Sequence, residues 1–132
     1  MQRVAQCCCN KSSISVSGSP EIHTICHCDN CKQRTGSAFG ISAYFKIDNI
    51  IERTENLNVY RLHHEEKNHD QERHFCSVCG TTLYWTISSM PNLIGIAGGC
   101  FTDQPLPTPS FSANSASQYS WVSLPCECKI VE

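Results

Sequence analysis

Seven of the eleven cysteines in this 132-residue chain fall into three short clusters. They are Cys7-x-Cys9, then Cys26-His27-Cys28-x-x-Cys31, then Cys76-x-x-Cys79-Gly80. Spacings of one or two residues let two sulfurs share a metal ion, whereas secreted disulfide frameworks tend to pair cysteines distant in sequence. The odd cysteine count and the lack of an apolar leader before Cys7 also argue against a disulfide scaffold. A structural zinc takes four ligands, and a catalytic zinc takes three plus an exchangeable one. Seven thiolates divide as four plus three, so the clusters predict one closed and one open zinc.

The remaining composition narrows the class. A chain of this length predicts one domain over residues 1–132, with a modest core to which metal adds stability. The formal net charge is −2, with both signs scattered along the chain. Nucleic acid is therefore not an expected partner, because phosphate binding needs a basic stripe. No apolar run is long enough to span a membrane. The expected compartment is a reducing cytoplasm.

Period-two alternation predicts a mainly β chain. Ile14 and Val16 alternate with serines before a turn at Gly18-Ser19-Pro20. Residues 21–25 lead as a strand into the second cluster. Phe39, Ile41, Ala43, Phe45 and Ile47 form the longest alternating run, and residues 57–62, 83–87 and 93–97 read as further strands. Residues 49–56 and 63–70 read as polar connections, and the Pro- and Ser-rich stretch from 105 to about 120 as a surface loop. Only residues 29–37 suit a short helical turn.

Cys76 and Cys79 with Gly80 have the form of a zinc knuckle, which supplies two ligands and needs two more. Cys7 and Cys9 are the expected donors, since residues i and i+2 of an extended strand face one side. Cys8 then faces away. A redox dithiol at Cys76 and Cys79 is the competing assignment, without a helix N-terminus to activate it. Cys26, Cys28 and Cys31 are expected to hold the open zinc, with Cys31 following a tight turn. A thiol in the free position would be deprotonated at neutral pH. His27 should project away from that ion, although a fourth ligand from His27, another histidine or Cys100 is the alternative.

The order of these motifs resembles a known family. It runs from the C-x-C through Cys-His-Cys-Asp-Asn-Cys-Lys-Gln-Arg-Thr-Gly-Ser-Ala-Phe at residues 26–39, to Arg-His-Phe-Cys-Ser-Val-Cys-Gly at 73–80, and to Ile-Ala-Gly-Gly-Cys-Phe-Thr-Asp at 96–103. The chain is similar to the glutathione-dependent formaldehyde-activating enzymes, a family that also includes centromere protein V, from Cys7 to about Trp121. The resemblance implies a β-tent fold of small antiparallel sheets held by zinc. It implies a structural zinc on Cys7, Cys9, Cys76 and Cys79, and a catalytic zinc on Cys26, Cys28 and Cys31. The implied activity is a carbon–sulfur lyase that makes S-hydroxymethylglutathione from glutathione and formaldehyde. Asn10 stands where the family usually has glycine after the C-x-C, and asparagine also tolerates the left-handed conformation.

Other residues receive lesser roles. Arg34, Gly36 and Ser37 are expected to contact glutathione, with Lys32 and Arg73 as further carboxylate partners. His63, His64, His69 and His74 read as a solvated hairpin connection, and Cys126 and Cys128 as two surface thiols. Two competing functions remain: a non-catalytic zinc module binding a protein or chromatin, and a B-type methionine sulfoxide reductase with Cys100 as its reactive thiol.

Overall fold

The computed structural model describes residues 1–131. It is mainly β, with one short helix. Strands β1 (Gln2–Gln6), β2 (Ser13–Ser17) and β5 (Ile50–Arg53) form a small antiparallel sheet in the order β1-β2-β5. The larger sheet contains β3 (Ile22–Cys26), β4 (Gly40–Lys46), β6 (Asn58–His64), β7 (His69–Phe75), β8 (Thr82–Ile87), β9 (Leu93–Ala97), β10 (Phe111–Ala113) and β11 (Lys129–Val131). Its order is β11-β10-β3-β4-β9-β8-β7-β6. All its pairs are antiparallel except β10, which runs parallel to both β3 and β11. Helix α1 (Asp29–Thr35) sits between β3 and β4.

The alternation in the sequence explains which faces are covered. On β2, Ile14 and Val16 are fully buried while the intervening serines are partly exposed. They meet Ala43, Phe45, Leu83, Ile94 and Ile96 of the larger sheet, and Phe101 from the segment after β9, in one apolar cluster. The Phe45 and Phe101 rings are 6.0 Å apart. Strands β8 and β9 are buried along most of their length, because the opposite face of the large sheet is covered as well. A smaller cluster of Trp85, Ile87 and Ala97 forms there, with Tyr44 and Met90 packed against it. This second face carries the candidate site. Gly95 makes room for it: a Cβ at that position would overlap the Trp85 indole.

The alternating segments appear as strands, and residues 29–37 contain the helix, which ends at Gly36 with φ 65°. Several expectations change. The polar connection placed at 49–56 contains β5, whose hydrogen bonds to β2 compensate for exposed side chains. The connection placed at 63–70 shrinks to the hairpin turn between β6 and β7, because the polar strands pair along their whole length. Residues 111–113 are a strand rather than surface loop, with Ser112 fully buried. Backbone pairing formed these three elements where the side-chain pattern gave no signal. Strand β1 ends before the first cluster, so Cys7 to Cys9 rounds a turn instead of lying on a strand. Asn10 closes that turn at φ 64°, the left-handed conformation asparagine tolerates.

Candidate metal centre

Two groups of thiols assemble from the three sequence clusters. The sulfurs of Cys7, Cys9, Cys76 and Cys79 all lie within 4.8 Å of one another. Cys7 and Cys9 are 3.6 Å apart, and Cys9 is 3.7 Å from Cys76. The turn after β1 and the turn after β7 approach each other here, and Cys8 N–H donates to Thr81 Oγ1 at 3.1 Å. Backbone N–H groups point at the sulfurs: Ser12 N donates to Cys7 Sγ at 3.3 Å and Val78 N to Cys76 Sγ at 3.4 Å. Ser12 holds the Cys76 thiol down to about 7, and Thr81 holds Cys79 down to about 5. Cys7 and Cys76 are buried, Cys9 is half-buried and Cys79 is exposed, so the group supplies four donors at the edge of the core. Cys8 remains exposed beside it.

Cys26, Cys28 and Cys31 form the second group, again within 4.8 Å of one another. Cys26 ends β3. Cys28 caps α1 in an extended conformation, its sulfur accepting from Cys31 N at 3.4 Å. Cys31 lies in the first turn of α1, and Gly40 passes close to its side chain. Among the described residues no fourth Cys, His, Asp or Glu donor joins this group. The Cys26 and Cys28 sulfurs are 3.3 Å apart. Hydrogen bonds from Cys28 and Cys31 push the Cys26 thiol far below its ordinary value, and bonds to Cys26 and Cys28 push Cys31 far above it. Cys26 and Cys31 are therefore coupled: the Cys26 proton leaves easily and the Cys31 proton with difficulty. A cation resolves that conflict, since all three sulfurs can then be thiolates. Both groups can hold a metal ion.

The three-thiol group opens into a cavity of about 390 Å³ on the second face of the large sheet. Tyr44, Arg73, Asn114 and Met90 line it, together with His64 and His69 of the β6–β7 hairpin. Trp85 Nε1 donates to Tyr44 Oη at 3.2 Å, and burial raises the Tyr44 phenol above its usual range. Asn114 Nδ2 donates to Cys26 Sγ at 3.2 Å. No spacing marks Asn114, which reaches Cys26 only because β10 pairs beside β3.

His27 turns away from the sulfurs, is fully buried, and shares a 2.9 Å hydrogen bond with Ser112 Oγ through Nε2. Its Nδ1 finds no partner. Arg34 and Ser37 line a different cavity, of about 410 Å³, with Cys8 and Cys100. The Arg34 guanidinium lies 4.5 Å over the Trp85 ring. Gly36 caps the helix in the open. Lys32 Nζ sits 3.8 Å from the Tyr119 ring centre and donates to the Ser117 carbonyl at 2.5 Å.

The four histidines are not a solvated loop. His64 and His69 face each other across the hairpin with ring centres 5.5 Å apart, and His74 stacks on Tyr84 at 4.5 Å. Only His63 points outward, 2.8 Å from Asp70. Cys126 is exposed as expected, whereas Cys128 is buried. Burial raises Cys100 to about 11, which disfavours a reactive thiolate there.

A protein of Rhodobacter sphaeroides of known crystal structure shares this fold, with a TM-score of 0.56. It is 20% identical, and the match covers 75% of this chain and 87% of that one. No curated protein matches the sequence. The family profile described as glutathione-dependent formaldehyde-activating enzyme matches residues 2–119, a span that contains both thiol groups. The chain belongs to the glutathione-dependent formaldehyde-activating enzyme family.

Proposed function

We propose that the chain is a zinc-dependent carbon–sulfur lyase acting on glutathione–aldehyde adducts, built as one β-tent domain over residues 1–132. Cys7, Cys9, Cys76 and Cys79 hold a structural zinc, and Cys26, Cys28 and Cys31 hold a catalytic one. The observation that carries this reading is the contrast between the groups: four thiols that complete a tetrahedral donor set, and three that open into a cavity. The donor sets suit zinc. A tetrahedral ion with Zn–S near 2.3 Å sets its sulfurs about 3.8 Å apart. The separations of 3.3 to 3.7 Å between neighbouring sulfurs approach that spacing.

When bound at Cys26, Cys28 and Cys31, zinc supplies a Lewis-acidic open position where a substrate thiol ionises at neutral pH. The protein's own groups do the rest. Arg73 adds positive charge beside the thiols, which favours a second anion there. The Asn114 amide spreads the charge on Cys26. In the synthetic direction the thiol gives up its proton and its sulfur adds to the aldehyde carbon. The carbonyl oxygen takes up a proton and becomes the hydroxyl of the adduct. Tyr44 retains its phenolic proton, because burial raises its pKa, and can donate to the oxygen as charge develops.

Zinc content per chain, measured before and after dialysis against glutathione, tests this reading together with the rate of glutathione–formaldehyde exchange. Two zincs, one of them disturbed by glutathione, and exchange faster than the uncatalysed rate are expected. Two zincs that glutathione leaves alone, with exchange at the background rate, would sink it. That outcome would favour a non-catalytic zinc module, for which the exposed Tyr119–Trp121 stack offers a contact surface.

A further inference from the structure

The thiol cavity is basic out of proportion to the chain. The sequence holds twelve Asp and Glu against ten Lys and Arg. None of the twelve lines this cavity, whereas Arg73, Lys67, His64 and His69 do. Arg73 is the unusual member. It stands on β7 and is only 8% exposed, yet both its hydrogen-bond partners are neutral. Its Nε donates to Gln71 Oε1 at 3.1 Å, and Nη2 donates to Asn30 Oδ1. Among the described residues no carboxylate pairs with it.

A buried charge without a counter-ion is costly, and proteins keep one where a ligand completes it. A guanidinium has five N–H donors in a rigid fork. Two are used, leaving three. Asn30 precedes the thiol of Cys31 on α1, so its bond to Arg73 fixes the guanidinium beside the three sulfurs. Three thiolates on zinc leave a net charge of −1, which offsets part of the Arg73 charge but offers no oxygen atoms to the fork.

We propose that Arg73 is the specificity-determining residue of this site, its fork anchoring the carboxylate of a thiol whose sulfur sits at the three cysteines. This rests on the catalytic reading for the position of the thiol, but the anchor itself does not require turnover. The volume of about 390 Å³ is within the range of small-ligand sites and suits a peptide-sized thiol.

Calorimetric titration of the protein with S-methylglutathione and with its diethyl ester tests the anchor without a free thiol. The acid is expected to bind the natural sequence at least about tenfold more tightly than the ester, the scale of a charged hydrogen bond. That ratio should fall towards one in Arg73→Gln and recover only in part in Arg73→Lys, which has charge but no fork. Equal affinity of acid and ester, failure of both to bind, or a ratio unchanged in folded variants would overturn the proposal. The comparison within the natural sequence stands even if both variants misfold. Cobalt-substituted protein separates this from the catalytic reading. If glutathione produces no change in the sulfur-to-cobalt absorption, the open thiol site fails, while the calorimetric ratio still decides the anchor. A change in absorption without an acid preference rejects the anchor alone.

Discussion

His27 shows how a residue flanked by two of the clustered thiols can support their group without joining it. Its ring lies fully buried behind the loop, bonded through Nε2 to Ser112 and packed edge-on to Phe39 at 5.9 Å. One nitrogen is already unpaired. Ser112→Ala would leave both nitrogens dry, and should cost about 1–3 kcal/mol in urea unfolding. His23, three residues before Cys26, gives a pH signature of its own. Burial lowers its pKa below the ordinary 6.5. The folded state therefore prefers the neutral ring, and the unfolded chain takes up the proton first. This contribution is complete above about pH 6.5 and is lost as pH falls through the folded value. The drop in urea midpoint between pH 7.5 and 5.5 should accordingly be smaller in His23→Gln than in the natural sequence. An equal drop in both would mean that His23 does not titrate with folding. At this scale the thiols were legible in the sequence because ligand spacing is local. Asn114 was not, since a pairing between strands distant in sequence delivers it.

At the scale of elements, the two thiol groups are mounted differently. The four-thiol group joins the turn after β1 to the turn after β7, and so ties the small sheet to the large one. The three-thiol group belongs to one continuous stretch, the end of β3 and the first turn of α1. Removing a ligand should have unequal effects. Cys28→Ser keeps a side-chain oxygen that can cap α1, so it should lower metal content by one ion with little change in melting temperature. Cys76→Ser should cost far more stability, because it leaves the sheets joined by side-chain packing and the Cys8–Thr81 hydrogen bond without the metal link. Melting curves and metal content on both variants check the contrast. Similar losses of stability would mean that both groups support the fold alike. Gly95→Ala probes the layer under the cavity. Its methyl would force the Trp85 indole from its place and should cost about 1–3 kcal/mol. Strands with alternating apolar residues, such as β2 and β4, could be read from the sequence. Strands β5, β7 and β10 could not, because their polar or short segments are held by neighbours' backbones, and periodicity carries no record of a neighbour.

On the scale of the molecule, one apolar cluster joins the two sheets while the opposite face of the larger sheet carries the cavity. If the metal assignments hold, a chelator should act in two stages. The ion at the open group should leave first, with the far-ultraviolet circular dichroism unchanged, and the closed ion later, as β structure is lost. Loss of both ions in one step together with the fold would contradict the division. The parallel pairing of β10 with β3 has a consequence for the order in which the protein matures. During synthesis from the N-terminus, a chain grown to residue 110 already contains every thiol of both groups and the Arg73 guanidinium. It still lacks the Ser112 partner of His27 and the Asn114 amide on Cys26. A nascent chain can therefore gather all seven of these thiols while the wall beside Cys26 is missing, and the cavity acquires its finished outline only when that late strand slides in alongside an early one.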